Sequence, residues 1–160
     1  MGVAGCGKSA VGAALAARLG ATYLDGDDLH PAANIEKMSR GDPLTDADRW
    51  PWLTLVGQRL AAPGGILIIG CSALKRRYRE HIVREADGPV TFVHLAGSKA
   101  LITARMSARA GHFMPTSLID SQFAALEPPA GYENAVTVDI DDTLEGIVHQ
   151  IVAKLAQRAA

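Results

Sequence analysis

Cysteine is scarce in this chain. Cys6 and Cys71 are the only two in 160 residues, too few for a disulfide framework, and they suggest a reduced, cytoplasmic setting. No apolar run approaches the roughly 20 residues of a membrane-spanning helix, and no cleavable leader is visible. Neither sign of charge dominates: 16 Lys and Arg stand against 17 Asp and Glu, for a net charge of −1. That balance gives no general affinity for polyanions, although a local arginine cluster would still hold a small anion. Internal repeats and low-complexity segments are missing as well. Almost nothing precedes the first motif, since Met1 alone stands before Gly2.

What is present is 48% hydrophobic and 21% charged, enough apolar matter for the core of a single domain. The motif is Gly2-Val3-Ala4-Gly5-Cys6-Gly7-Lys8-Ser9, a complete G-x-x-x-x-G-K-[ST] phosphate-binding loop. Its glycines let successive backbone N–H groups turn inward onto phosphate oxygens. Lys8 brings a charge for the β- and γ-phosphates, and Ser9 a hydroxyl for Mg²⁺. An Ala-rich helix, residues 10–19, follows at once and adds its N-terminal dipole. The loop therefore predicts ATP as ligand, with residues 2–9 as its cradle.

Further along, apolar and helical segments alternate. Strands are expected at 21–24, 66–70, 90–95 and 135–140. Helices are expected at 53–62, 75–86, 98–109 and 144–159, with short helices and loops at 30–52 around Pro31, Pro43 and Pro51. The β-branched run 66–70 reads as a strand buried on both faces. Alternation of this kind predicts an α/β fold, a parallel sheet between helices on both faces. Ligands of such sheets bind beyond the C-terminal strand ends.

The chemistry-bearing residues cluster there. Asp25 and Asp27 follow the second apolar run. If the backbone stays extended through Gly26, both carboxylates point the same way. Asp25 then suits the metal shell, and Asp27 suits a base that orients an attacking hydroxyl and takes its proton. Arg105 and Arg109 lie four apart on one helical face, placed to neutralise a transferring phosphoryl group.

The segments Asp25-Gly26-Asp27-Asp28-Leu29-His30-Pro31, Asp48-Arg49-Trp50-Pro51-Trp52-Leu53, Cys71-Ser72-Ala73-Leu74-Lys75 and Gly111-His112-Phe113-Met114 together resemble the gluconate kinase (gluconokinase) family. The resemblance runs from residue 2 to about residue 147. It implies a nucleoside-monophosphate-kinase-like three-layer α/β/α fold, similar to shikimate kinase. It also implies transfer of the ATP γ-phosphoryl group to the 6-hydroxyl of D-gluconate, with Mg²⁺, a lid at about 109–129, a substrate-binding insertion at about 30–53 and a homodimer.

Gluconate is a linear polyol with one carboxylate, so its site needs cations and hydroxyl partners. Arg49, Lys75, Arg76 and Arg79 are candidates for the carboxylate. Asp27, His30 and Ser72 suit the hydroxyls, and His112 is a further candidate for contact with substrate. Trp50 and Trp52 read as pocket wall or satellite core, with core the preferred reading. Asp141-Asp142-Thr143 falls where adenine is met in such folds, without naming a base-reading residue. Cys6 departs from the serine more common in family loops, and reads as a small packing residue rather than a redox site. Two rivals stay open: another small-metabolite kinase, and an ATP-binding module without phosphoryl transfer. In the resembled fold a central strand leads into the phosphate loop, so the first strand reads as missing or truncated. The expectation is that the natural protein begins several residues upstream, with Met1 at the end of that strand.

Overall fold

The computed structural model describes residues 1–109 and 116–159. The phosphate loop runs into α1 (Lys8–Leu19), followed by β1 (Thr22–Asp25) and a 3₁₀ turn (Gly26–Leu29). Next come α2 (Ala32–Ser39), α3 (Asp46–Ala61), β2 (Leu67–Gly70), α4 (Arg76–Ala86), β3 (Phe92–Ala96) and α5 (Lys99–Ala108). The described chain closes with α6 (Thr116–Ala125), β4 (Ala135–Asp139) and α7 (Leu144–Ala159).

All strand pairing is parallel. β1 pairs with β2 from Thr22↔Leu67 to Asp25↔Gly70, and β3 pairs with β4 from Phe92↔Ala135 to Ala96↔Asp139. Side chains alternate across these strands as the pleat requires. Ile68 and Val93 pack into a core with Val11 and Leu15 of α1 and Ile147 and Ile151 of α7. Ile69 and Phe92 face the other way, into a second core with Leu53 and Val56 of α3 and Ile82 of α4. Helices thus cover both faces of a parallel β layer, the three-layer arrangement that the alternation of segments predicts.

The two pairs of strands do not join directly. Met1 and Gly2 bridge them: Gly2 N donates to Ser72 O at 3.1 Å, and Leu95 N donates to Met1 O at 3.0 Å. The Met1 ammonium donates to Val93 O at 2.6 Å. Beyond this bridge β2 and β3 stand apart across a cavity of about 660 Å³, walled by Val11, Leu15, Val56, Ile68, Phe92 and Val93 among others.

The gap explains one departure from expectation. Leu67, Ile68, Ile69 and Gly70 are half-buried rather than fully enclosed, since β2 turns an unpaired edge toward the cavity. A second departure is α3, which begins at Asp46 and carries Pro51 in its interior. Proline was expected to break the chain there. A capping box outweighs it: the Thr45 hydroxyl accepts from Asp48 N, and the Asp48 carboxylate accepts from Thr45 N. Burial of Trp52, Leu53 and Val56 anchors the following turns.

Candidate active site at the strand ends

The phosphate loop folds as its glycines dictate. Gly5 adopts φ +82, a conformation that favours glycine, and lies close to α5, where a Cβ would meet Met106 Sδ at 2.5 Å. Lys8 reaches back over the loop and donates to Gly2 O and Val3 O, each at 3.1 Å. Cys6 is fully buried within the core, with its sulfur close to Gly2. Ala4 N donates to Gln122 Oε1 of α6 at 3.1 Å.

Ser9 Oγ donates to Asp25 Oδ2 at 3.2 Å. This joins the start of α1 to the end of β1, and places one hydroxyl and one carboxylate side by side. The backbone does not stay extended beyond Asp25, as supposed above. It tightens into the 3₁₀ turn, and Asp25 caps that turn by accepting from Asp27 N at 3.0 Å. Gly26 makes the tightening possible, because a Cβ there would lie 2.5 Å from Gly70 O. The two acids consequently diverge: Asp25 faces Ser9, while the Asp27 carboxylate is 83% exposed and 3.9 Å from His30 Nε2.

His30 is buried and stacked on Trp52, ring centroids 4.1 Å apart. Its Nδ1 pairs with Asn34 Nδ2 at 3.3 Å, and Asn34 is fixed by donating to Asp48 O at 2.9 Å. Trp52 donates to Gly26 O at 2.8 Å. Burial pushes the imidazole below its usual range, partly countered by Asp27, and Nε2 faces the Asp27 carboxylate. Trp52 is therefore both core and support for the histidine. Asn34 carries a load that its place in an unremarkable polar helix did not advertise.

Of the basic candidates, Arg49 and Lys75 gather at Tyr78, while Arg76 and Arg79 pair elsewhere. Arg49 donates to Leu44 O at 2.5 Å and lies over the Tyr78 ring at 5.8 Å. Lys75 Nζ approaches Asp46 Oδ1 at 3.8 Å, and Asp46 also receives Arg77 and the Tyr78 hydroxyl. Tyr78 and the neighbouring cations hold the Asp46 carboxyl below its ordinary range. Arg76 is exposed, pairs with Glu80 at 2.7 Å and lies over Tyr132. Ser72 follows β2 and offers its carbonyl to Gly2 N. Arg79 is not a surface cation: it is buried and ion-paired with Glu133. The roles of Glu127, Glu133 and Asp46 have no local signature in the sequence, since each binds a partner 32 or more positions away.

Arg105 Nη2 donates to Ile140 O at 2.5 Å. This ties the end of α5 to the loop that begins Asp141-Asp142-Thr143. Arg109 caps α5 and is exposed. His112 and the expected lid residues Gly111 to Pro115 lie outside the described residues. Among the described residues, no group of three or more His, Cys, Asp or Glu is gathered to hold a metal. The same residues include no helix long and apolar enough to cross a membrane.

A phosphate loop opening onto a serine–aspartate pair, at the C-terminal edge of a parallel sheet between helices, defines a P-loop phosphotransferase of the small-molecule kinase type. Residues 1–129 match the family model described as an AAA domain. Likeness to shikimate kinase from Aquifex aeolicus (TM-score 0.59, 14% identity, 99% of this chain and 95% of that one) shows the same fold.

Closer relatives narrow the class. The gluconokinase of Gluconobacter oxydans is 45% identical over 155 residues, covering 95% of this chain and 86% of that protein. The thermosensitive gluconokinase of Escherichia coli is 46% identical over 154 residues, covering 94% and 82%. A crystal structure of a gluconokinase from Sinorhizobium meliloti superposes with a TM-score of 0.91 at 48% identity, covering 99% of this chain and 90% of that one. The chain belongs to the gluconokinase family.

Proposed function

We propose that this protein transfers the γ-phosphoryl group of ATP to the 6-hydroxyl of D-gluconate, giving 6-phospho-D-gluconate and ADP. The observation that carries the reading is the joint presence of the complete phosphate loop and the exposed Asp27 carboxylate beside buried His30, within a chain of this family. Loop amides of residues 2–9 and the Lys8 ammonium bind the β- and γ-phosphates. Asp27 orients the gluconate hydroxyl and takes its proton as the new O–P bond forms and the bond to the ADP oxygen breaks. His30 Nε2, held by the Trp52 stack, supports Asp27 and a neighbouring hydroxyl.

The residues present suit Mg²⁺. A small, hard cation that keeps several waters needs few protein oxygens, and the Ser9 hydroxyl with Asp25 behind it supplies that set. Mg²⁺ bound there would neutralise phosphate charge. Arg49, Ser72, Lys75 and Arg76 hold the carboxylate and the remaining hydroxyls, with His112 as a further contact. Arg105 and Arg109 neutralise charge on the nucleotide side at the base of a lid over about 109–129. A homodimer in a reduced cytoplasm completes the reading, and the two buried, free thiols are compatible with it.

The test is a coupled ADP-release assay with a panel of acceptors. Gluconate is expected to give saturable turnover, while shikimate, other sugar acids and nucleoside monophosphates give little. ATP binding without turnover on any polyol would overturn the proposal.

A further inference from the structure

The loop between β2 and α4 carries Ser72, Lys75 and Arg76, and its backbone is held from within rather than by solvent. Arg79, one turn into α4 and 1% exposed, donates from Nη1 to Ala73 O at 3.0 Å and to Leu74 O at 3.2 Å. Its other edge makes a two-pronged contact with Glu133, Nε to Oε2 at 2.6 Å and Nη2 to Oε1 at 2.9 Å. Glu133 is itself fixed, accepting from Ala130 N at 2.9 Å. Ala73, between the two ends of the loop, has φ +44 and is buried. A non-glycine residue keeps such a conformation only where its surroundings impose it. The same loop meets the phosphate loop through Gly2 N and Ser72 O. From the far side, Glu127 N donates to Leu74 O and Arg76 N donates to the Glu127 carboxylate.

We propose that Arg79 and Glu133 form a positioning pair for the acceptor substrate. A planar guanidinium bridges the carbonyls of Ala73 and Leu74 to the segment before β4, fixing where Ser72 and Lys75 stand relative to the phosphate loop. Neither residue touches substrate. Arginine is required because only its fork can serve two carbonyls and a carboxylate at once. This inference rests on the reading that the 72–76 loop binds gluconate.

The experiment compares steady-state kinetics of Arg79→Lys, Glu133→Gln, Glu133→Asp and Lys75→Met, varying gluconate and ATP separately. Misplacing a loop that contacts the acceptor equally in ground and transition states raises the KM for gluconate by about tenfold in Arg79→Lys and Glu133→Gln, with kcat and the KM for ATP within about twofold. Glu133→Asp, which keeps the charge, recovers part of the loss. Lys75→Met raises the same KM directly. If both positioning variants fold with an unchanged KM for gluconate while Lys75→Met raises it, the positioning role is wrong and the site reading stands. If Lys75→Met is silent too, the site reading itself falls. If Arg79→Lys and Glu133→Gln are both unfolded, or lose kcat with both KM values unchanged, the pair is a structural element only and the proposal is overturned.

Discussion

At the scale of single residues, the site divides into groups whose work the sequence announces and groups whose work only contact reveals. Lys8, Ser9, Asp25 and Asp27 sit in local motifs, so the chain alone singles them out as candidates. What the motif did not carry was direction: the 3₁₀ turn at Gly26 sends Asp25 toward Ser9 and Asp27 toward His30. Separate functions follow. Asp27→Asn is expected to lower kcat by at least about 100-fold, the scale of lost general-base help, with ATP affinity retained. Steady-state kinetics with nucleotide titration checks this; a change in ATP affinity alone would move Asp27 to the nucleotide side. Lys8→Ala is expected to abolish most turnover while circular dichroism shows the fold intact, because its ammonium bonds to loop carbonyls rather than to the core.

The elements show why patterns overrode punctuation. Pro51 reads as a stop, yet α3 runs through it because the Thr45–Asp48 box secures the helix start five residues earlier. Loss of such a cap costs about 1 kcal/mol, so Thr45→Ala should lower the thermal midpoint measurably without changing the KM for ATP. Acid should act on the same element. Hydrogen bonds from Lys37 and Thr45 hold the Asp48 carboxyl down at about 2, below its ordinary value near 3.8. A carboxyl depressed in the folded state contributes stability that is fully present above its unfolded pKa and lost as pH falls through the folded one. Glu133, depressed chiefly by its hydrogen bond to Arg79, acts in the same direction. Thermal midpoints of the parent should hold at neutral pH and begin to fall near pH 4. In Asp48→Asn the fall between about pH 4 and 2 should be shallower.

For the molecule as a whole, the sheet and its helical layers follow from periodicity, because each strand and helix carries its own pattern. The break between β2 and β3 lies where the resemblance leads one to expect a strand ahead of the phosphate loop. Met1 and Gly2 supply the hydrogen bonds at one end of the gap, and the remaining edges face a 660 Å³ cavity. An extended apolar segment joined to the Met1 nitrogen would pair both edges and remove a buried amine. Adding five β-branched residues there should raise the thermal midpoint by at least about 4 °C, whereas a Gly/Ser extension of equal length should not. Equal midpoints for the two extensions would mean that the gap is closed in solution by other means.

All three scales converge on one reaction, phosphoryl transfer to gluconate at the phosphate loop. Its most direct measurement follows ATP and D-gluconate by ³¹P NMR with the parent protein and with Lys8→Ala. The parent is expected to form ADP and a single phosphomonoester on the terminal carbon of gluconate in equal amounts, and Lys8→Ala almost none. ATP loss without a gluconate phosphomonoester, or equal product from the two proteins, would contradict it.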